Sequence, residues 1–171
     1  MPERLYLCVL PGERASLAGA VHAAGGVAVL DLTSGPTVPV PDGAWVRVRT
    51  RRSVPGKGPV ILTGNHKSPV RNRETWLEVT EVCAAPEGFA GVILRGNESG
   101  GPCASVPGMD LLAGMGQDQK VILDAGLGPN EAAAALAAGA QGVVLSDVLL
   151  GLPELDLPAG LKGRLSLLDA G

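Results

Sequence analysis

Short apolar runs recur along the whole chain, each closed by glycine, proline or a charged residue, and alanine-rich stretches with helical spacing lie between some of them. Leu5–Leu10 ends at Pro11-Gly12 and reads as a first strand. Glu13–Ala24 places Leu17, Val21 and Ala24 at helical spacing, and Gly25-Gly26 ends that helix. Val27–Leu32 is a second strand. Thr33–Gly43 holds three prolines and two glycines and is excluded as an ordinary helix. Trp45–Arg49 alternates apolar and basic residues, the pattern of a strand with one solvated or polar face. Arg51–Gly58 is a basic loop, Val60–Thr63 a fourth strand, Gly64–Arg73 a polar loop and Trp76–Thr80 a fifth strand. Cys83–Gly88 leaves room for no more than a turn or two of helix. Gly91–Leu94 is a sixth strand, followed by the glycine loop Gly96–Gly101, and Met109–Met115 is a short helix.

The segment Lys120–Asp147 carries the clearest pattern. Val121–Leu123 is a strand, Asp124–Gly128 a tight turn, Pro129 and Asn130 open an alanine-rich helix, Gly139 closes it, and Gly142–Leu145 is the next strand. This spacing predicts a right-handed crossover between parallel strands. A last helix is expected over Asp156–Leu168, with Leu161, Leu165 and Leu168 on one face.

Eight candidate strands, with no linker long enough to divide them, predict one domain over residues 1–171: an α/β fold, a small TIM-type (β/α)8 barrel. Such barrels typically take about 200 residues or more, and this chain has 171. Closure therefore requires several outer helices to be reduced to loops, with full crossovers at the two ends and bare connections in the middle. A compact open α/β sheet is the alternative.

Composition sharpens this reading. Hydrophobic residues make up 46%, yet there is one Phe and one Tyr, so the core must be Val, Leu, Ile and Ala, as buried parallel strands prefer. A net charge of −3 gives no reason to expect nucleic acid. Cys8, Cys83 and Cys103 are scattered, and their odd number argues against a disulfide framework; a reducing cytoplasm is expected. No apolar run approaches the ~20 residues of a membrane span, and MPERLYLCVLPGE lacks the layout of a signal peptide.

Two places offer chemistry. In barrels of this kind the turns after the last two strands bind phosphate through backbone N–H groups, which points to Asp124–Gly128. The loop Arg95–Gly101 offers glycines for close approach together with the carboxylate of Glu98, the amide of Asn97 and the hydroxyl of Ser99. His66 is the best candidate general base, or else an ordinary loop histidine. Glu98 either acts as a base once desolvated or caps its loop by accepting backbone N–H bonds. His22 reads as a helix residue, and Cys103 has no paired histidine in sequence. Trp45 and Trp76 read as core or rim packing. Arg47, Arg49 and Thr50–Arg52 form a basic cluster, read as a solvated strand face or a contact for an acidic partner.

The segment FAGVILRGNESGG (Phe89–Gly101) resembles the "AGxxGxxxxGxEAGG" signature of the nitronate monooxygenase (2-nitropropane dioxygenase) family. It is similar also to the "KGHESGG" of that family's domains in polyketide and polyunsaturated-fatty-acid synthases. Asp124–Leu145 resembles the family's "GGIG…AAALAAGAxGVVL", and AVHAAGGVAVLDL (Ala20–Leu32) its "AVSxAGGLGxL". The likeness covers about the first 32 residues and residues 89–150. It implies a TIM barrel and an FMN cofactor. The phosphate would lie against Ala125, Gly126, Leu127 and Gly128 and the end of strand eight at Ser146 and Asp147; Gly96, Asn97, Gly100 and Gly101 would border the flavin, and Glu98 matches the signature.

The departures are specific. Pro102 stands where nitronate monooxygenases place a catalytic histidine, and Asn97 stands where the synthase domains have one. Asp124 and Asp147 would put negative charge near a dianionic phosphate unless Lys67, Arg71 or Arg95 compensates. Three functions follow: an FMN-dependent oxidoreductase of the nitronate-monooxygenase or enoyl-reductase type acting on a small or carrier-bound acyl substrate; a non-catalytic docking barrel within a larger synthase; or a phosphate-binding barrel without flavin. Apolar strand faces left bare by absent helices would favour self-association or docking.

Overall fold

Parallel strands that are apolar on both faces need covering inside and out, and this chain meets that need by closing the sheet on itself. A computed structural model describes residues 4–34 and 38–145. Eight strands run in chain order: β1 (Leu5–Pro11), β2 (Val27–Asp31), β3 (Trp45–Val48), β4 (Val60–Leu62), β5 (Thr75–Val79), β6 (Gly91–Arg95), β7 (Val121–Asp124) and β8 (Gly142–Val144). Each pairs in parallel with the next, and β8 returns to β1 through Leu5↔Gly142, Tyr6↔Val143 and Leu7↔Val144, so the barrel is closed. The open-sheet alternative is excluded.

Side chains alternate across each strand, so every second residue points inward. The interior is filled by Leu7, Val29, Trp45, Ile61, Trp76, Ile93, Ile122 and Val144, one from each strand. Trp45 and Trp76 lie with ring centroids 6.1 Å apart and nearly parallel planes. Two indoles fill volume that a barrel of purely aliphatic residues would leave empty. Both are core residues, as their positions in the sequence suggest.

The outer face is covered unevenly. A 3-10 segment (Gly12–Leu17) and α1 (Ala18–Ala23) pack on β1 and β2 around Leu10, Ala28 and Leu30. Helices α2 (Gly108–Ala113) and α3 (Pro129–Ala137) cover β6–β8 through Leu111, Leu112, Ala132, Ala135 and Leu136. Between them, no helix among the described residues covers β3–β5. Their outward residues Val46, Val48, Val60, Leu62 and Leu77 are buried instead by loop residues, among them Val40, Val54, Val70 and Phe89. The trimmed barrel inferred from length is therefore the observed one. Loop residues cover these outward faces, and the exposed large hydrophobics among the described residues are Tyr6, Val82 and Val106.

One element departs from its sequence pattern. Glu13–Ala24 is not a single α-helix: its first half is a 3-10 segment broken at Arg14 (φ −101°, ψ 22°), and only Ala18–Ala23 is α-helical. No side chain caps either start, and Gly19 sits within the second half, so local signals do not sustain a continuous helix. The expected helix Asp156–Leu168 lies outside the described residues.

Candidate functional site

The same alternation that buries the barrel core fixes the chemistry of its mouth. Two residues beyond Val29, Trp45, Trp76, Ile93 and Ile122 stand Asp31, Arg47, Glu78, Arg95 and Asp124. All five are therefore turned inward at the C-terminal ends of their strands, the end where barrels of this kind place their working groups. Three carboxylates and two guanidiniums form a charged layer directly above the apolar one.

Arg47 is the hub of one half. Its Nε and Nη2 donate to Glu78 Oε1 (2.6 Å) and Oε2 (2.9 Å), reaching from β3 across β4 to β5, and its Nη1 donates to Asp31 Oδ2 (2.8 Å) on β2. This is a two-pronged pairing with a carboxylate plus a third bond, the arrangement for which a planar guanidinium is suited. Burial opposes the charge on Arg47, but Glu78 and Asp31 outweigh it and hold the cation above the ordinary arginine value. Burial alone would likewise raise the Asp31 carboxyl; bonds from the Thr33 hydroxyl and backbone N–H, together with Arg47, reverse this and hold it below the usual carboxylate range.

Arg95 anchors the other half. Its Nε donates to Asp124 Oδ2 (3.1 Å) on the neighbouring strand, and its Nη1 and Nη2 donate to the carbonyls of Pro102 and Gly100. Arg95 thus fastens the glycine loop over the mouth, with only 8% of its side chain exposed. The reading of Arg47 as part of a solvated strand face is corrected by the inward register. Of the three cations considered as a counterweight to Asp124, Arg95 fills the role. Asp124 nevertheless titrates above its ordinary value: desolvation dominates, and nearby Glu78 reinforces it against the pull of Arg95 and Arg47.

The glycine loop is built around a close approach of backbones. Gly96 donates its N–H to Asp124 O (2.9 Å), and a Cβ on it would run into Gly108 at the start of α2 and into the Glu98 carboxylate. Glu98 accepts the Gly108 N–H through Oε2 at 3.1 Å. Of its two sequence readings, capping is the one the geometry displays. Ser99 donates its hydroxyl to Gly96 O (2.8 Å) and is buried, whereas Asn97, Gly100 and Gly101 are exposed.

Above the charged layer lies a cleft of about 1130 Å³, at the upper end of what small-molecule sites occupy. Its walls include Arg49, Asn65, His66 and Lys67 on one side and Arg95, Gly100, Gly101 and Pro102 on the other, with Leu77, Val79 and Pro86 as apolar surface. A smaller cavity of about 170 Å³, lined by Val9, Ile61, Ile93 and Val144 and by Arg47, Glu78, Arg95 and Asp124, shares Arg47, Glu78, Arg95 and Gly100 with it. His66 is half-buried, its Nε2 3.1 Å from Thr63 O, and it shares the cleft with Lys67. Arg71 is exposed and not part of the cleft lining. His22 lies apart from both cavities, its ring beside Gly43.

The turn after β7 is a tight glycine turn. Gly126 is exposed with φ +57°, a left-handed conformation natural to glycine. Gly128 precedes α3, whose first position is Pro129. Ala125 and Leu127 are buried in the core beneath α2 and α3. The turn does not line either cavity, and the Glu131 carboxylate folds back over Gly128: a Cβ there would meet Oε2 at 2.7 Å. Ser146 and Asp147 lie outside the described residues.

Comparison with known proteins agrees with this geometry at the level of fold. A nitroalkane oxidase from Streptomyces ansochromogenes superposes with a TM-score of 0.53 at 17% identity, over 91% of this chain and 61% of that one. The chain thus spans about three-fifths of the length of that neighbour. The likeness shows a shared TIM-type barrel. No protein-family model matches the sequence, and no curated protein does.

The charged layer went unread in the sequence, although a signal was present. Val-Leu-Asp, Trp-Val-Arg, Trp-Leu-Glu, Ile-Leu-Arg and Ile-Leu-Asp lie within five of the eight strands with the same apolar, apolar, charged order, three of them at the strand end and two followed by one more valine. Once the first residue of each triplet is placed in the barrel interior, the third must be there too.

Proposed function

We propose that this chain is an FMN-binding oxidoreductase domain of the nitronate monooxygenase type, receiving its cofactor at the C-terminal mouth of the barrel. The observation that carries this reading is the open cleft above a closed eight-strand barrel, with the cations Arg49 and Lys67, which have no ion-pair partner among the described residues, in its lining. The residues present fit such a cofactor. Leu77, Val79 and Pro86 offer apolar surface for a ring system, and Arg49, Lys67 and the glycine turn Ala125–Gly128 offer two alternative seats for a phosphate. When bound, the flavin supplies the electron transfer; the chain supplies binding, orientation and electrostatics. Arg95 holds the loop Gly96–Pro102 in place beside the cleft, and the Arg47 bridge fixes Glu78 and Asp31 as its floor.

A second reading is favoured by one specific observation. Neither family histidine position holds a titratable side chain: Asn97 is exposed, and Pro102 offers its carbonyl to Arg95. A non-catalytic docking barrel within a polyketide or fatty-acid synthase accounts for that loss.

The visible absorption spectrum of the purified protein, with and without added FMN, separates the two. Flavin absorbance that co-elutes with the protein supports the oxidoreductase reading. A colourless protein that leaves added FMN free in equilibrium dialysis overturns it and leaves the docking barrel.

A further inference from the structure

The mouth of the barrel contains two carboxyl groups that face one cavity but are held differently. Glu78 has both oxygens engaged by Arg47. Asp124 has one: Oδ2 accepts from Arg95 Nε, while Oδ1 accepts no hydrogen bond from the described residues, and the residue lines the cavity of about 170 Å³. The Asp124 side chain keeps 18% of its surface exposed, and the residue belongs to the cavity lining. The cavity shares four lining residues with the cleft above it.

We propose that Asp124 exchanges a proton with a small carbon acid bound in this cavity, through its free Oδ1. The substrate class rests on the oxidoreductase reading; the proton chemistry of Asp124 does not. As a base, the carboxylate takes a proton from a substrate C–H, a new O–H bond forms at Oδ1, and the bonding pair stays on the substrate. As an acid, the same O–H bond breaks toward a substrate atom that has gained an electron pair. Either direction fills the acid–base place that Pro102 and Asn97 leave vacant.

The surroundings suit that task. Arg95 on β6 fixes the carboxyl's orientation without occupying both oxygens. Glu78 on β5 and Arg47 on β3 are the other charged groups facing it across the cavity, and β8 presents Val144. A pair of carboxyl groups held in different hydrogen-bonding environments is a recurring way of assigning acid–base roles; here Glu78 has both oxygens engaged by Arg47 and Asp124 only one by Arg95. Desolvation and Glu78 push the Asp124 carboxyl upward, toward the pH at which proton transfer is useful.

The test needs no flavin. Nitroethane, a carbon acid small enough for the cavity, is incubated with the protein in deuterated buffer, and loss of its α-hydrogen signal is followed by proton NMR. The wild-type protein should accelerate exchange on the order of 10²-fold, the lower range of positioned acid–base catalysis. Asp124→Asn should reduce the rate to that of buffer, while His22→Gln, at a histidine apart from both cavities, should leave it unchanged. Exchange at the buffer rate with wild-type protein, or full exchange with Asp124→Asn, overturns the proposal. Because Asp124→Asn leaves Arg95 without its counter-charge and could impair folding, Asp124→Glu provides a second variant. Its longer side chain should retain part of the acceleration, and its behaving like buffer while folded would contradict placement at Oδ1. Carbon-13 NMR of Asp-labelled wild-type protein provides an independent check: the resonance lost in Asp124→Asn or Asp124→Glu should titrate above about 3.9, the ordinary aspartate value. A midpoint at or below it overturns the proposal. Exchange activity in a protein that binds no FMN would leave Asp124's role standing and remove the oxidoreductase reading; FMN binding without exchange would do the reverse.

Discussion

Replacing Arg47 with methionine isolates the energetics of the charged layer. The substitution keeps the apolar stem and removes the guanidinium, leaving Glu78 and Asp31 without their common partner. Glu78 is 9% exposed in its side chain and Asp31 28%. Breaking a buried ion pair by deleting one member costs about 3–5 kcal/mol, because the other charge remains out of water. Asp31 regains solvent and keeps its Thr33 bonds, so its share is small; Glu78 sets the total, near the lower end at about 3 kcal/mol. Urea unfolding followed by tryptophan fluorescence reports it directly, since Trp45 and Trp76 stack in the barrel interior below. With a slope of about 2 kcal/mol/M, the midpoint should fall by roughly 1.5 M at pH 7. The loss should also depend on pH. Asp31 has a folded pKa below its unfolded value, so its contribution is complete above the unfolded value, about 3.9, and is lost as pH falls through the folded one. The gap between wild type and Arg47→Met should therefore narrow below about pH 4 by Asp31's small share. A loss under about 1 kcal/mol at pH 7 would refute the claim that charge rather than packing holds this layer together.

Three further outcomes follow from the same geometry. Gly91→Ala should cost about 1–3 kcal/mol in urea unfolding, because a Cβ there runs into the Lys120 backbone and the Trp76 ring; an unchanged midpoint would mean the barrel wall gives way there. Glu98→Ala should cost about 0.5–2 kcal/mol through loss of the cap on Gly108, whereas Glu98→Gln should retain most of it, a contrast read from thermal melting. Glu131→Gln should tighten binding of FMN or inorganic phosphate by roughly two- to fivefold if the phosphate sits on the turn before α3, as removal of a carboxylate at a helix start implies; calorimetry showing no change would place the phosphate at Arg49 and Lys67 instead.

The strands were legible because each is a short apolar run bounded by Gly, Pro or charge, and the barrel followed from counting them against the chain's length. The lack of helices over β3–β5 among the described residues was legible as the absence of helical spacing between Arg51 and Gly88, whereas the burial of those faces by Val40, Val54, Val70 and Phe89 was not. Two things were hidden. The break at Arg14 leaves no trace in a pattern where alanine and leucine keep helical spacing throughout. The direction in which Arg47, Arg95 and Asp124 point depends on register, and a basic residue at a strand end reads as solvated until a buried neighbour two positions away fixes its face. The glycine turn Ala125–Gly128 was visible as a turn, but its lying outside the cleft lining is a property of three-dimensional placement that no local motif encodes.

Closure through β1 and β8 also governs how this protein comes off the ribosome. Every other strand meets its partner soon after it is made, with one connecting segment between them, but Leu5–Leu7 must wait for Gly142–Val144. At about 5–20 residues per second, that wait is on the order of 10–30 s. Throughout it the first strand presents an unpaired edge, the kind of surface on which neighbouring nascent chains can template one another. The final seam therefore leaves the growing polypeptide with an open strand edge until Gly142–Val144 have been made.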